Sequence, residues 1–255
     1  MPSMKSTSRG NIGIVIPAYN ESDNIAPLIQ EVTRYLPGAL IVVVDDSPDA
    51  RTKVAVETLN LPHVQVVHRT KKGGRGSAVI EGVRRLRQKE CEIIVEMDAD
   101  FSHPPKQIPE LVDYFQKKKL DLLIAARYLP ESRIENWPFS RRIFSKCSNW
   151  LTRRLLQVPV SDYTNGFRVY SRSASEIIVA HCGQRGTGFI PLSEILVSIY
   201  YRGLRVGEVP TVFVNRVRGE SSLNFREIKN AFFGLWMIYA LKRQLQQKRI
   251  VVART

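Results

Sequence analysis

The chain of 255 residues is long enough to bury one sizeable α/β core, and 38 lysines and arginines against 24 acidic residues give it a net charge of +14. Such an excess attracts polyanions, which include nucleic acid, an anionic membrane leaflet and phosphorylated substrates. No helix-turn-helix, zinc-ligand spacing or aromatic RNA-binding pattern accompanies the charge, which excludes nucleic acid as the expected partner.

Short β-branched runs alternate with helical patterns in the first half of the sequence. The predicted strands and the helices between them are, in order, 12–16, 21–36, 40–44, 51–59, 64–67, 77–89, 93–97, 105–118 and 120–125. The alternation predicts an α/β fold with a Rossmann-like, mostly parallel central sheet and flanking helices. Ligands of such sheets bind at the carboxyl ends of the strands, where the polar motifs of this sequence also fall.

The second half contains no repeat or low-complexity linker. The predicted elements there are helices and strands at 141–156, 167–170, 193–201 and 206–214. A last helix begins at Phe225, so we predict one domain over 11–224 and an apolar and basic helix over 225–255.

Two acidic residues, Asp98 and Asp100, directly follow the predicted strand 93–97. Carboxylates one residue apart at a strand end suit a hard divalent ion, Mg²⁺ or Mn²⁺, whose other ligands are diphosphate oxygens and water. The pair alone is weak evidence, since loop solvation, or capping of the next helix by Ser102 or His103, explains it as well.

A second acidic pair, Asp45 and Asp46, follows the second strand. These carboxylates can accept hydrogen bonds from a base N–H and a ribose hydroxyl, and Pro17, Tyr19 and Glu21 frame the same predicted nucleoside pocket. The alternative is turn chemistry, because Asp-Ser-Pro-Asp is a strong turn sequence. The glycines of 73–76 precede a helix, where backbone N–H groups can approach a phosphate.

Seven motifs occur in order along the chain: PAYNE at 17–21, DDSPD at 45–49, GRGSA at 74–78, DADFSH at 98–103, ARY at 126–128, DYTNGFR at 162–168 and EVPTVFVNRVRGES at 208–221. Together they resemble the dolichol-phosphate mannosyltransferases among the inverting family 2 glycosyltransferases, which have the GT-A fold. The resemblance covers roughly residues 11–240. It implies transfer of a sugar, first of all mannose from GDP-mannose, onto a polyprenyl or dolichyl phosphate.

The resemblance also implies roles for individual residues. Asp98 and Asp100 would hold the metal and the diphosphate. The nucleoside would contact Pro17, Tyr19, Glu21 and Asp45. The phosphates of donor and acceptor would contact Arg127, Arg141, Ser145 and Arg216. The predicted catalytic residues are Asp100, Arg127, Arg141 and Ser145, and the predicted substrate-binding set is completed by Asp46, Ala99, Asp162, Arg168 and Arg218.

Three departures from the family pattern bear on specificity. The loop DDSPDART is one residue short, which affects base recognition. Ser222 replaces a lysine of the family's Ser-Lys-Leu, and Arg218 is the candidate substitute. The stretch GFIPLSE at 188–194 replaces an aromatic-glutamine pattern. Another nucleotide sugar, such as UDP-glucose or a UDP-aminosugar, and a non-catalytic nucleotide-sugar-binding protein remain as alternatives.

The chemistry depends on the acceptor. A phosphate oxygen is already anionic near neutral pH, since the second pKa of a phosphomonoester is about 6, and it attacks without a general base. A hydroxyl acceptor needs a base, for which Asp162 and His103 are the candidates. In an alternative interpretation, Asp162 positions Arg168 instead.

A predicted helix carries three polar residues on one face: Arg141, Ser145 and Asn149. This face either binds a phosphate or is simply exposed to solvent.

The apolar run 231–241 is flanked by Lys229 and Lys242. Eleven helical residues span about 16 Å, half of the ~30 Å hydrocarbon core. The run therefore lies on an anionic membrane surface, packs in the core, or docks on an integral-membrane subunit.

The polar first eleven residues indicate no signal peptide, and three cysteines without paired spacing indicate a reducing compartment. We therefore predict a cytoplasmic protein, peripheral on the cytosolic face of a membrane.

Overall fold

The computed structural model describes residues 11–183, 185, 190–215 and 225–252. Its strands are β1 Ile12–Ala18, β2 Leu40–Asp45, β3 Val64–His68, β4 Ile93–Glu96, β5 Leu122–Ala126, β6 Arg133–Glu135, β7 Arg168–Ser171, β8 Val206–Pro210 and β9 Val212–Val214. Its helices are α1 Ser22–Tyr35, α2 Arg51–Glu57, α3 Arg75–Gln88, α4 Ile108–Lys118, α5 Phe139–Leu156, α6 Arg172–His181, α7 Ile190–Tyr201 and α8 Phe225–Val252.

Seven strands form the central sheet in the order β3-β2-β1-β4-β7-β5-β8, and β6 pairs with β9 in a second, two-stranded sheet. All pairings in the central sheet are parallel except those of β7, which runs antiparallel between β4 and β5. The predicted α/β class and mostly parallel sheet are therefore confirmed.

Alternate side chains of the buried strands pack into two apolar cores, one on each face of the sheet. Ile14 and Ile16 of β1 lie in the core beneath α1 and α4, whereas Val15 lies in the core beneath α3, α6 and α7. Both faces are covered, which is why β1 and β5 are apolar throughout their length.

Three features differ from the predicted elements. Strand β6 is short and polar, so its sequence carries no strand periodicity. Helix α6 was not predicted, although Ser171 caps it by accepting a hydrogen bond from the Ala174 N–H at 3.1 Å. The predicted strand 206–214 is divided after Pro210, because β8 joins the central sheet and β9 joins β6.

Helix α8 packs one face into the core beneath α3 and α7. Ile238, Leu241 and Leu245 are buried there, and Gly234 lies against Ile190. Trp236 points outward and is exposed. In the part of the chain that the structure describes, no helix combines the length and apolarity needed to cross a bilayer.

Candidate active site

The polar motifs converge at one edge of the sheet. Ala18 pairs with Asp45 and Val15 pairs with Glu96 in the parallel ladders of β1, so the residues that follow β1, β2 and β4 leave the sheet side by side. The fold thus brings the predicted nucleoside and diphosphate residues together, as expected for a doubly wound sheet.

The predicted nucleoside pocket has one open aromatic face. Tyr19 is 43% exposed after β1, and the Lys72 ammonium lies 3.5 Å from its ring centroid. Glu21 is partly exposed and accepts a hydrogen bond from Asn24 Nδ2 at 2.7 Å. Pro17 is buried at the end of β1. Tyr19 and Glu21 therefore lie where a ligand can reach them.

The carboxylates of Asp45 and Asp46 are occupied within the chain. Asp45 is fully buried and accepts hydrogen bonds from the Ser47 N–H at 3.0 Å and from His68 Nδ1 at 2.8 Å. Asp45 is therefore engaged within the chain, as the turn alternative expects, and its direct contact with the nucleoside stays a prediction.

Asp46 closes the loop that follows β3. Its oxygens accept from Arg69 Nε and Nη2, at 2.5 and 2.6 Å, and from the N–H groups of Gly73 and Gly74, at 3.1 and 2.9 Å. These are the backbone donors that we expected to bind a phosphate. In this structure a carboxylate of the chain occupies these donors, and the contacts of Asp46 and of the glycines with substrate stay predictions.

The Asp98 side chain is 30% exposed and forms an ion pair with Arg75, to which the sequence motifs assigned no role. Arg75 Nε and Nη2 lie 2.9 and 2.6 Å from Asp98 Oδ1, and Arg75 Nη1 lies 2.8 Å from Glu96 Oε1. Burial raises the pKa of Asp98, but Arg75 and the other basic groups nearby together lower it by more, so the net shift is downward. The carboxylate is therefore ionised at neutral pH.

A sequence signal for Arg75 existed. Glu96 is an acid inside the apolar run of β4, and it is fully buried, which requires a partner. Tyr170 Oη donates to its other oxygen at 2.6 Å, and Arg75 supplies the charge. Gly166 leaves the space, because a Cβ there would lie 1.8 Å from Arg75 Nη2.

His103 holds the backbone of the acidic motif. Its Nδ1 accepts from the Asp98 N–H at 3.1 Å, and its Nε2 lies 3.0 Å from Asn165 Oδ1. The Asn165 amide nitrogen donates to the Ala125 carbonyl, so Oδ1 faces the ring and Nε2 carries the proton. Burial lowers the pKa of His103 below its ordinary 6.5, which keeps the ring neutral.

The capping alternative for the acidic motif is wrong. Neither α4 nor the single 3₁₀ turn before it, Pro105–Gln107, has a side-chain cap. Asp100 instead accepts from the Ser102 N–H at 3.1 Å, and the buried Ser102 hydroxyl has no hydrogen-bond partner among the described residues. Ala99 is buried between the two acids.

The donor set fits a divalent ion that shares its coordination with a ligand. Among the described residues, no three His, Cys, Asp or Glu side chains cluster as a closed metal site. Asp98 and Asp100 supply hard carboxylate oxygens at the sheet edge, and Mg²⁺ or Mn²⁺ bound by one or two carboxylates takes its other ligands from phosphates and water.

Arg127 lies at the end of β5 in a fixed position. The Asp162 carboxylate accepts from Arg127 Nε and Nη2 at 2.7 and 2.8 Å, and the rings of Tyr128, Trp137 and Phe213 lie 5.3–5.5 Å from the guanidinium carbon. Burial raises the pKa of Asp162, but Arg127 lowers it further, so the net shift is downward. Asp162 thus positions Arg127, not Arg168 as the alternative proposed.

Arg141 and Ser145 lie on the inward face of α5, beside Arg127. The Arg141 guanidinium carbon is 4.4 Å from the Trp137 ring centroid, and Tyr128 Oη donates to Ser145 Oγ at 2.6 Å. Because Arg127 contacts the same Trp137 ring, the structure brings these predicted catalytic residues together.

Arg168 belongs to the predicted substrate-binding set, but its position leaves no room for such a contact. Arg168 is fully buried and donates to the carbonyls of Tyr163, Asn165 and Leu192, each at 2.8 Å. It therefore ties β7 to α7 and does not contact substrate. The predicted residues Arg216 and Arg218 lie outside the described residues.

The central sheet and its strand-end acidic site define a glycosyltransferase with the GT-A fold. The structure is similar to a crystal structure of glucosyl-3-phosphoglycerate synthase from Mycobacterium tuberculosis in complex with phosphoglyceric acid. The TM-score is 0.65 at 19% sequence identity, and the match covers 91% of this chain and 80% of that chain. Residues 13–178 match glycosyl transferase family 2, and the chain belongs to that family.

Three relatives resemble the predicted group in name, since each is called a prenyl-phosphate mannose enzyme. The chain is 34% identical to polyprenol monophosphomannose synthase of Mycolicibacterium smegmatis, over 94% of this chain and 90% of that protein. It is 35% identical to dolichol-phosphate mannosyltransferase of Pyrococcus furiosus over 85% of this chain, and it spans 60% of that protein's length. It is 34% identical to undecaprenyl-phosphate mannosyltransferase of Micrococcus luteus, covering 82% and 86%. The predicted family is confirmed.

Proposed function

We propose that the protein transfers mannose from GDP-mannose, with inversion, onto the phosphate of a polyprenyl lipid at the cytosolic face of a membrane. The relatives named above support mannose and the prenyl phosphate acceptor. The base of the donor is the finer part of the proposal, and it rests on the resemblance of the motifs.

One observation carries the choice of acceptor: neither candidate base is available. Asp162 is fully buried and accepts five hydrogen bonds, three from Arg127 and one each from the N–H groups of Thr164 and Asn165. Both His103 nitrogens are engaged, and the ring is buried. A hydroxyl acceptor would lack a proton acceptor at these positions, whereas a phosphate oxygen needs none.

The arginines suit an anionic acceptor. Arg127 is held rigidly by Asp162, and Arg141 is held over Trp137, so two guanidinium groups bind phosphate oxygens without first being ordered. Ser145 adds a hydroxyl beside them. Together these residues would align the acceptor oxygen with the anomeric carbon and offset the repulsion between two anions.

Asp98 and Asp100 would hold Mg²⁺ or Mn²⁺ against the diphosphate. When bound, the ion stabilises the negative charge that builds up on the leaving diphosphate. The Mycobacterium tuberculosis synthase was also crystallised with Mn²⁺ and UDP-glucose, and that structure has a TM-score of 0.64 to this one. At 19% identity the likeness supports the fold alone. The metal proposal therefore rests on the two carboxylates of this chain.

To test this function, the protein is incubated with polyprenyl phosphate and each of a panel of labelled GDP and UDP sugars. The transfer of label is measured with Mn²⁺, with Mg²⁺ and with a chelator. We expect label in the organic phase from GDP-mannose, and loss of that label in chelator. Arg141→Ala should raise the Michaelis constant for the lipid phosphate more than that for the donor. Label that enters an aqueous glycan instead would refute the lipid acceptor.

A further inference from the structure

Helix α5 has its polar face inward and its apolar face outward. Arg141, Ser145 and Asn149 point toward the site, whereas Phe139 and Trp150 on the opposite face are 77% and 64% exposed. Surface helices of globular proteins normally have the reverse orientation. The outward face therefore has no partner among the described residues.

Two more apolar side chains extend this outward face. Ile143 and Phe144 are 48% and 46% exposed, and Ile143 lies one helical turn beyond Phe139. Large aromatic side chains grouped in this way on a monomer mark an interaction surface. We call the four residues Phe139, Ile143, Phe144 and Trp150 the aromatic face.

Cations accompany the aromatic face and acids do not. The sequence of α5 contains five basic residues and no Asp or Glu. Four of them, Arg142, Lys146, Arg153 and Arg154, are exposed, and none pairs with an acid among the described residues. The end of the aromatic face opens into a groove of about 480 Å³ that includes Trp150, Arg153 and Arg154. Aromatic and aliphatic residues with unpaired cations fit a bilayer of anionic phospholipid.

We propose that the aromatic face of α5 inserts into the interface of an anionic bilayer, with the four exposed cations on lipid phosphates. The inference rests on the proposed lipid acceptor, because the inward face of the same helix carries Arg141 and Ser145. A prenyl phosphate bound there stays within one helix diameter of the membrane that holds its tail. Docking of α5 thereby places the active site at the lipid headgroups.

Helix α8 supports α5 from behind. Lys242 Nζ donates to the Leu155 carbonyl at 2.9 Å and to Gln157 Oε1 at 2.7 Å, which fixes the carboxyl end of α5. The exposed Trp236 of α8 provides a matched control, since it is the same kind of side chain on the helix that the sequence first suggested for the membrane.

The test measures sedimentation of the whole protein with vesicles of phosphatidylcholine alone and with added phosphatidylglycerol, without donor or acceptor. We expect binding to the anionic vesicles, at least tenfold weaker for the double variant Phe139→Ser/Trp150→Ser and within twofold of wild type for Trp236→Ser. Unchanged binding of the double variant, or equal binding of wild type to neutral and anionic vesicles, overturns the proposal. So does a dimer of the chain that the double variant separates, without vesicle binding.

A native thiol reports insertion directly. Cys147 lies on the outward side of α5 and is exposed, whereas Cys91 and Cys182 are buried and burial raises their pKa values to about 11 and about 12. A polarity-sensitive fluorophore on Cys147 should shift to the blue with anionic vesicles and become protected from iodide. An unshifted, fully quenchable label on vesicle-bound protein would place another face on the membrane.

A soluble acceptor separates this proposal from the proposed function. With a short-chain prenyl phosphate and no vesicles, the double variant should transfer sugar as wild type does. Vesicle binding by a protein that transfers no sugar to any prenyl phosphate would refute the function and leave the docking face standing. Loss of transfer to the short acceptor in the double variant would show that the aromatic face serves catalysis and overturn its docking role.

Discussion

Asp162 holds the side chain of Arg127 in place through two hydrogen bonds to its guanidinium group. The pair is buried, and the Asp162 carboxylate also accepts from the backbone N–H groups of Thr164 and Asn165, so one acid holds both the arginine and two residues of the loop after α5. Removing the charge of one partner leaves the other charge buried and unpaired, which is far costlier than the net contribution of the pair.

Asp162→Asn should therefore lower the free energy of unfolding by about 3 kcal/mol at pH 7. Asp49→Asn, which breaks an exposed pair with Arg51, should change it far less. Urea denaturation of both variants checks this. Equal effects of the two substitutions would contradict the assignment.

The same pair predicts a pH dependence. Burial opposes but Arg127 outweighs it, so the folded pKa of Asp162 lies below its ordinary 3.8. The stabilisation is complete above that ordinary value and is lost as the pH falls through the lowered pKa. As the pH falls below about 4, wild type should lose stability more steeply than Asp162→Asn does. Parallel acid-unfolding curves would count against the pair.

Arg75 neutralises two acids of different burial. Arg75→Met leaves Glu96 charged in the core and should destabilise the protein by about 3 kcal/mol, whereas the double variant Arg75→Met/Glu96→Gln should recover most of that loss. Thermal unfolding of the two variants measures the difference. A double variant no more stable than the single one would show that Glu96 does not need the guanidinium.

The sequence predicted site residues where a motif ends a strand and failed where side chains pair across the fold. Asp98, Arg127 and Tyr19 were found because strand ends converge in any doubly wound sheet. The Arg75 and Asp46 contacts join residues more than twenty positions apart. The acid Glu96 inside β4 indicates that a buried cation is needed, but no local pattern identifies Arg75 as that cation.

At the scale of elements, α3 is the part most sensitive to side-chain size. A Cβ on Gly76 would lie 2.2 Å from two carbons of Pro191, so α3 approaches α7 only because that position has no side chain. Gly76→Ala should cost about 2 kcal/mol of unfolding free energy, while Gln88→Ala, at an exposed position of the same helix, should cost almost nothing. A stable Gly76→Ala protein would mean that the two helices separate easily.

Helix α5 shows what periodicity leaves open. The sequence divided the helix correctly into a polar and an apolar face, but a repeat cannot say which face meets the protein. Burial settles that question: Asn149 is inside and Trp150 is outside. For α8, the core-packing interpretation describes Ile238, Leu241 and Leu245, which the apolar run alone did not distinguish from membrane insertion.

At the scale of the molecule, the sheet separates two tasks. The edge at β1, β2 and β4 carries the nucleotide end of the site, and the edge at β5 together with α5 carries the arginines for a second anion. Strand β7 lies between them and runs antiparallel to both neighbours, which the sequence did not reveal because a residue pattern does not encode strand direction. The excess of +14 suits the two anionic substrates and the anionic surface that we propose.

The central claim is that the acceptor is a phosphate that attacks without a base. The most direct test supplies radiolabelled GDP-mannose and Mn²⁺ with polyprenyl phosphate in one reaction and the matching free polyprenol in another. We expect label in the organic phase with the phosphate and none above background with the alcohol, because neither Asp162 nor His103 can accept its proton. Comparable label in the free polyprenol, or none in either lipid, would contradict the account.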